Sequence, residues 1–426
     1  MATYKFFLHL LLALTITTTT LAQERSGNND QKEAAYTPLV LKLNEDGSNY
    51  LRILSWQQFQ LCSQDLSDPG AEWQITPSIR RARLALLARL SSKVLIWTHI
   101  GMNSFTPKNM SPLGGEGYNS PQLFVHSAWG EVSLHPFLQV GAGLHYWNGM
   151  TRLASASTIS MMTMDQSRPF ASWHSLGVTD QYARHLGIYF KGQIHRLDYR
   201  LALNAPSWKT LGDGQDYGIR NSGLTYNGVQ QTDWNGHSTG GMIITGYVKY
   251  SFWDTESNLL PSQTGTYLGK KSVLNIGGGF FNQPGGMYCA ETGAHHNVKH
   301  FAVDVYMDKP VHNGNALHAY VAAQHFDFGK NYVSRWVGTG QNWYGQVGYY
   351  FGSTKLMPYA AFQWGDYEGL EAPLSTLDLG VNYFMKGHNT KITLEYHRMR
   401  GDIREAAITD SKDVMSQLRM QLQIFL

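Results

Sequence analysis

Residues 377–396 read LDLGVNYFMKGHNTKITLEY. Leu377, Leu379, Val381 and Tyr383 alternate with Asp378, Gly380 and Asn382, and after the Gly387-His388 turn the alternation resumes. Side chains along a strand point to opposite faces in turn, so each arm of this hairpin carries one apolar and one polar face. The same grammar recurs elsewhere. Phe301, Val303, Val305 and Met307 alternate with Ala302, Asp304, Tyr306 and Asp308. At the end of the chain, Leu418, Met420, Leu422, Ile424 and Leu426 alternate with Arg419, Gln421, Gln423 and Phe425.

Working outward from this hairpin, about sixteen period-2 segments fill the chain, with no sustained helical periodicity between them. They lie near 50–62, 76–90, 93–103, 122–132, 135–147, 180–192, 195–205 and 240–253. The series continues near 270–282, 299–309, 315–327, 341–352, 355–368, 374–386, 389–401 and 411–426. Each runs for about 10–16 residues, enough to cross a bilayer as a tilted strand, which takes roughly 9–11. Strands of soluble proteins average nearer 5–6. Links after even-numbered segments are mostly tight, such as Ser91-Ser92 and Gly387-His388, whereas 148–179 and 206–239 are long. Short turns on one side and long loops on the other are the layout of an outer-membrane barrel. The link at 254–269 is too long for its place among the short turns: either that turn is elaborated or the count is off by a hairpin.

Composition agrees with this layout. Only 15% of the 426 residues are charged, against about 25% in ordinary soluble domains. Glycine (43) and tyrosine (24) are abundant, as expected where outward and inward positions average to near-neutral hydropathy. The net charge of +3 gives no footprint for nucleic acid. Lys5, the apolar run from Phe6 to Ile16 and the small-x-small Thr20-Leu21-Ala22 read as a secretory signal over residues 1–22. Residues 23–48 then read as a flexible lead-in and 49–426 as the barrel. Trp97, Trp129, Tyr146, Trp147, Trp253, Trp343 and Tyr349 to Phe351 fall near segment ends, where aromatic girdles are expected.

Pro77 to Leu84 (PSIRRARL) resembles a strand near the start of the phosphate-selective porin O/P family. The hairpin 377–396 is similar to that family's penultimate hairpin, and GLHYWNG (143–149) and DQYARHLGIYFKG (180–192) resemble strand ends of its Bacteroidetes-type branch. The resemblance implies a 16-stranded, homotrimeric outer-membrane porin with loops folded inward at a constriction. It also implies anion selectivity set by arginines and lysines in the lumen.

Parity places Arg81, Arg83, Arg89, Arg200, Lys249, Lys391 and Arg419 inside as candidate pore-lining residues, together with Asp198, Asp304, Asp378 and Glu395. The lumen is then mixed in sign with a basic excess, and phosphate selectivity is not carried over. Three guanidiniums at Arg80, Arg81 and Arg83 cannot all face lipid, where one at the midplane costs about 2–4 kcal/mol. Either they meet water, or they pair with carboxylates of the lumen.

Other constellations carry little. His295-His296 lacks a third ligand at ordinary spacing, so no metal is expected. No Gly-x-Ser-x-Gly elbow occurs. Gly277-Gly278-Gly279 precedes no phosphate-binding helix and reads as a place of close backbone approach. Cys62 and Cys289 could pair only if an outer loop folds inward. The expectation is therefore a porin, not an enzyme, passing small polar solutes with a weak anion preference, in contact with outer-membrane lipid and without cofactor. The alternatives are a barrel enzyme acting on lipid, or a plugged structural or secretion-related barrel.

Overall fold

The computed structural model describes residues 36–68, 70, 73–107, 109, 123–165, 184–205, 224–226, 241–289, 292–333, 338–402 and 413–426. The expected signal at 1–22 and most of the lead-in lie outside them. Within the described residues the chain forms eighteen strands in a single sheet. The first half holds β1 (Leu39–Lys42), β2 (Tyr50–Ser63), β3 (Ile75–Arg89), β4 (Val94–Phe105), β5 (Phe124–His135), β6 (Leu138–His145), β7 (His185–Ile194), β8 (Leu197–Asn204) and β9 (Leu224–Tyr226). The second half holds β10 (Ile243–Ser251), β11 (Val273–Cys289), β12 (His295–Pro310), β13 (Ala316–Asp327), β14 (Gly340–Tyr350), β15 (Leu356–Tyr367), β16 (Leu374–His388), β17 (Thr390–Arg400) and β18 (Val414–Phe425).

Sixteen of these close an antiparallel barrel. Neighbours follow chain order, β8 joins β10, and β18 returns to β2 through a register running from Arg419↔Cys62 to Phe425↔Trp56. The two short strands add to this wall. β1, inside the stretch expected as lead-in, pairs with Tyr50–Ile53 of β2, and β9 pairs with the end of β11. Each of the sixteen expected segments overlaps one wall strand. The long link is an elaborated turn, residues 252–272, so the strand count stands.

The wall is inverted relative to a soluble core. Leu186 is 63% exposed, Phe301 60% and Val303 58%, all pointing outward, whereas Gln423 and Asn382 point inward and are fully buried. Water-soluble proteins put Leu, Val and Phe inside and rarely expose apolar patches above a few hundred Å². An apolar surface running around a closed barrel is stable against hydrocarbon, and closure leaves no strand edge unpaired there. The expected faces hold at Leu379, Val381 and Leu422, which point outward, and at Asp378 and Gln421, which point inward.

Trp97, Trp129 and Trp147, expected in an aromatic girdle, are buried inside. Nearness to a strand end says nothing about face. Trp97 shares parity with inward Leu95 and His99, while Ile96 points outward. Trp343 and Phe351 do lie on the outer face. Cys62 and Cys289 do not pair with each other.

Glycine has an assigned place in the inner wall. A Cβ at Gly141 would enter the Tyr189 ring, and one at Gly380 the Tyr359 ring. These glycines are register partners of the tyrosines that lie across them. Gly279, in the triplet expected to permit close approach, accepts the backbone of Met150.

Candidate functional site

Among the described residues, two segments arriving from opposite ends enter the interior. Residues 146–165 descend from the long-loop end between β6 and β7, and the elaborated turn 252–272 rises from the short-turn end between β10 and β11. They meet inside the barrel. The Gln263 N–H donates to Ser155 O at 2.7 Å and the Ser157 N–H to Gln263 O at 2.8 Å, a short parallel ladder.

Glu256 is the hub of the meeting. Its carboxylate accepts both Arg152 guanidinium nitrogens, at 2.6 and 2.7 Å. It also accepts Lys249 Nζ at 3.0 Å, Asn275 Nδ2 at 2.9 Å and the Tyr267 hydroxyl at 2.6 Å. Bidentate guanidinium–carboxylate pairing fixes direction as well as distance. Burial pushes the Glu256 carboxyl up, but Arg152 and Lys249 outweigh it and hold it well below the usual carboxylate range. The Arg152 guanidinium lies flat over the Tyr306 ring, 3.5 Å from its centroid.

Wall residues then hold both segments by their backbones. Gln58 and Gln423 donate to Thr158 O and Ile159 O, at 3.0 and 2.8 Å. Asn382 and Lys391 donate to Met162 O and Met161 O, each at 2.7 Å. On the other segment, Arg200 donates to Pro261 O at 2.8 Å and Lys191 to Asn258 O at 2.6 Å. An irregular backbone inside a barrel leaves many carbonyls without ladder partners, and these amides and cations satisfy them.

Every basic residue assigned to the interior by parity lies on the inner side, but their settings divide them. Arg200, Lys249 and Lys391 are almost fully buried against the inserted segments. Arg419 stands 3.9 Å from Glu395. Arg81 and Arg83, expected to face water, are each only 3% exposed. Arg81 bonds Asp165 at 2.6 Å and Gln58 at 2.9 Å, and Arg80 reaches the other oxygen of Asp165. The carboxylate they meet comes from the inserted loop and not from Asp198, Asp304, Asp378 or Glu395. Pairing of that kind depends on the path of residues 146–165, which no local alternation encodes.

Two cavities flank this packing along the β2–β7 side. One, about 140 Å³, is lined by Arg81, Arg83, Trp56, Trp97, His99 and Tyr146 among others, and is roofed by residues 154–159 and 260–262. The other, about 310 Å³, opens at the short-turn end among Arg89, Lys93, Glu131, Lys191 and Asn258. Between them lies an apolar collar that includes Ala85, Leu87, Trp129 and Leu259. Arg81, Arg83 and Arg89 thus bracket the collar on one strand.

Among the described residues, one group has metal-ligating atoms in mutual reach, Asp378, Glu395 and His397. Its donors are already engaged. His397 Nδ1 lies 2.5 Å from Asp378, and Glu395 accepts the Tyr359 hydroxyl and the Met164 N–H. His295 and His296 are exposed on β12.

No family model matches the chain, and no curated protein matches it. Solved structures do. Salmonella typhi OmpF, in complex with daunomycin, superposes with a TM-score of 0.57 at 10% identity, covering 91% of this chain and all of that one. The anion-selective porin from Comamonas acidovorans gives 0.48 at 11% identity, covering 88% of this chain and 99% of that one. Vibrio cholerae OmpT, in its trimer form, gives 0.46 at 10% identity, covering 89% and 100%. At such identities the likeness is one of fold: the chain forms a sixteen-stranded barrel of the porin type.

Proposed function

We propose that this chain is an outer-membrane porin of the phosphate-selective O/P-like branch, giving passive passage to small polar solutes. The observation that carries the reading is the inverted wall. An apolar exterior encloses a polar, cation-rich interior with water-sized cavities on both sides of a constriction. The short-turn end faces the periplasm and the long-loop end the outside, as in barrels of this layout. Solutes pass along β2–β7, where Arg81, Arg83 and Arg89 give a weak anion preference. Arg200, Lys249 and Lys391 hold the constriction in place, and the assembly is a homotrimer. Planar bilayers containing the purified protein test this: stepwise conductance is expected, and mass measurement of the detergent-extracted assembly should give three chains. A silent barrel would leave the plugged, non-conducting reading.

A further inference from the structure

The 140 Å³ cavity beside the constriction is built more like a binding site than a plain passage. Its walls are aromatic: Trp56 lies 5.0 Å from His99, His99 lies 3.9 Å from His126, and Tyr146 stacks on His126 at 4.8 Å. Two guanidiniums, Arg81 and Arg83, close one side. Ser127, Ser157, Thr158 and Ser262 are among the rest of the lining, with the Ser127 hydroxyl accepting the Trp97 indole N–H. Two polar atoms among these walls are buried without a hydrogen-bond partner, the indole N–H of Trp56 and Nδ1 of His126. Trp56 is only 6% exposed, so its N–H is lost to bulk water as well. An unsatisfied buried donor costs about 1–3 kcal/mol and calls for an explanation, and an occupant with acceptors supplies one.

Each wall selects a property of that occupant. Aromatic faces take the apolar C–H face of a ring, hydroxyls match a hydroxyl-rich periphery, and guanidiniums take a carboxylate. The volume lies below the roughly 300–1,000 Å³ of pockets that hold drug-sized ligands, which limits the occupant to a single ring. We infer that this cavity is a solute-binding station for a carboxylated monosaccharide, with Trp56 as platform and donor and with Arg81 and Arg83 on the carboxylate. The inference rests on the porin reading for its role in transport, but binding itself does not require conduction.

The test uses the full-length protein folded in detergent, with tryptophan fluorescence and calorimetry against glucuronate, glucose and benzoate. Saturable glucuronate binding at least about tenfold tighter than either of the others is expected, since a charged hydrogen bond contributes about 1.5–3 kcal/mol. Trp56→Ala should abolish it. Trp56→Phe, which keeps a ring but removes the N–H, should weaken it by about three- to tenfold while heat-modifiable gel migration confirms folding. Equal binding of glucose would overturn the carboxylate assignment, and tighter benzoate would overturn the sugar assignment. No binding of any probe to a folded protein that conducts would overturn the site and spare the porin reading. Binding to a protein that never conducts would overturn the porin reading and spare the site.

Discussion

Glu256 joins the loop from one end of the barrel to the turn from the other and to the wall. Removing one member of a buried ion pair leaves the other charge uncompensated, at about 3–5 kcal/mol. Glu256→Gln keeps the shape but leaves Arg152 and Lys249 without their carboxylate. Single-channel conductance of this variant should rise and fluctuate, because the constriction loses its clasp. Unchanged, quiet conductance would mean the wall bonds to residues 158–162 suffice alone. The pH dependence has a definite sign. A carboxyl whose folded value is depressed contributes stability above its unfolded value, about 4.3, and loses it only as pH falls through the folded one. Conductance should therefore be flat between about pH 8 and 5 and rise only in stronger acid. The proposed selectivity is tested at Arg81 and Arg83. Replacing both with glutamate should shift the reversal potential in a KCl gradient toward cations, most at low salt, where screening reaches about 10 Å at 0.1 M. An unchanged potential would mean that pairing with Asp165 has removed their field. The inward parity of these arginines was legible in the sequence, but the Asp165 partner was not. That partner sits in an irregular loop whose path is fixed by tertiary contacts with Gln58, Asn382 and Lys391.

At the scale of elements, period-2 alternation is local information, so the strands and their faces could be read directly. Phe301, Val303 and Val305 turn to the outside and Asp304 and Asp308 to the inside, as their spacing requires. The aromatic residues show the limit of reading position without face, since Trp97 and Trp129 face inward, and Trp129 lies in the middle of β5 and not at its end. Residues 252–272 show another limit. Excess length marked them as unusual, but nothing in their spacing told that they rise into the lumen, where Glu256, Gln263 and Thr266 are buried. Two outcomes test the strands themselves. Val303→Arg, in the middle of β12, should destabilise the folded barrel in lipid vesicles by about 2–4 kcal/mol in a urea titration. A variant as stable as the parent would mean that this face does not meet lipid. β18 closes the wall on β2, and the terminal Leu426 exchanges backbone hydrogen bonds with Ser55. Deleting residues 424–426 should therefore abolish membrane insertion, and normal insertion of the shortened chain would show that closure does not need the last residues.

The barrel is a closed wall that faces hydrocarbon outward, with a polar interior narrowed by two clasped segments. On the porin reading, passage is set at the collar between the two cavities, which includes Leu87, Trp129 and Leu259. Arginines lie above and below this collar, while Glu131, Asp304 and Asp378 stay paired or hydrogen-bonded to Lys191, Tyr247 and His397. The central claim is that such a barrel conducts. The most direct test is to insert the purified protein into planar bilayers and record single channels in a KCl gradient at about 0.1 M and about 1 M salt. The account predicts discrete conductance steps, with a modest anion preference at the lower salt that fades at the higher. A folded, inserted barrel that carries no current at either salt would contradict it.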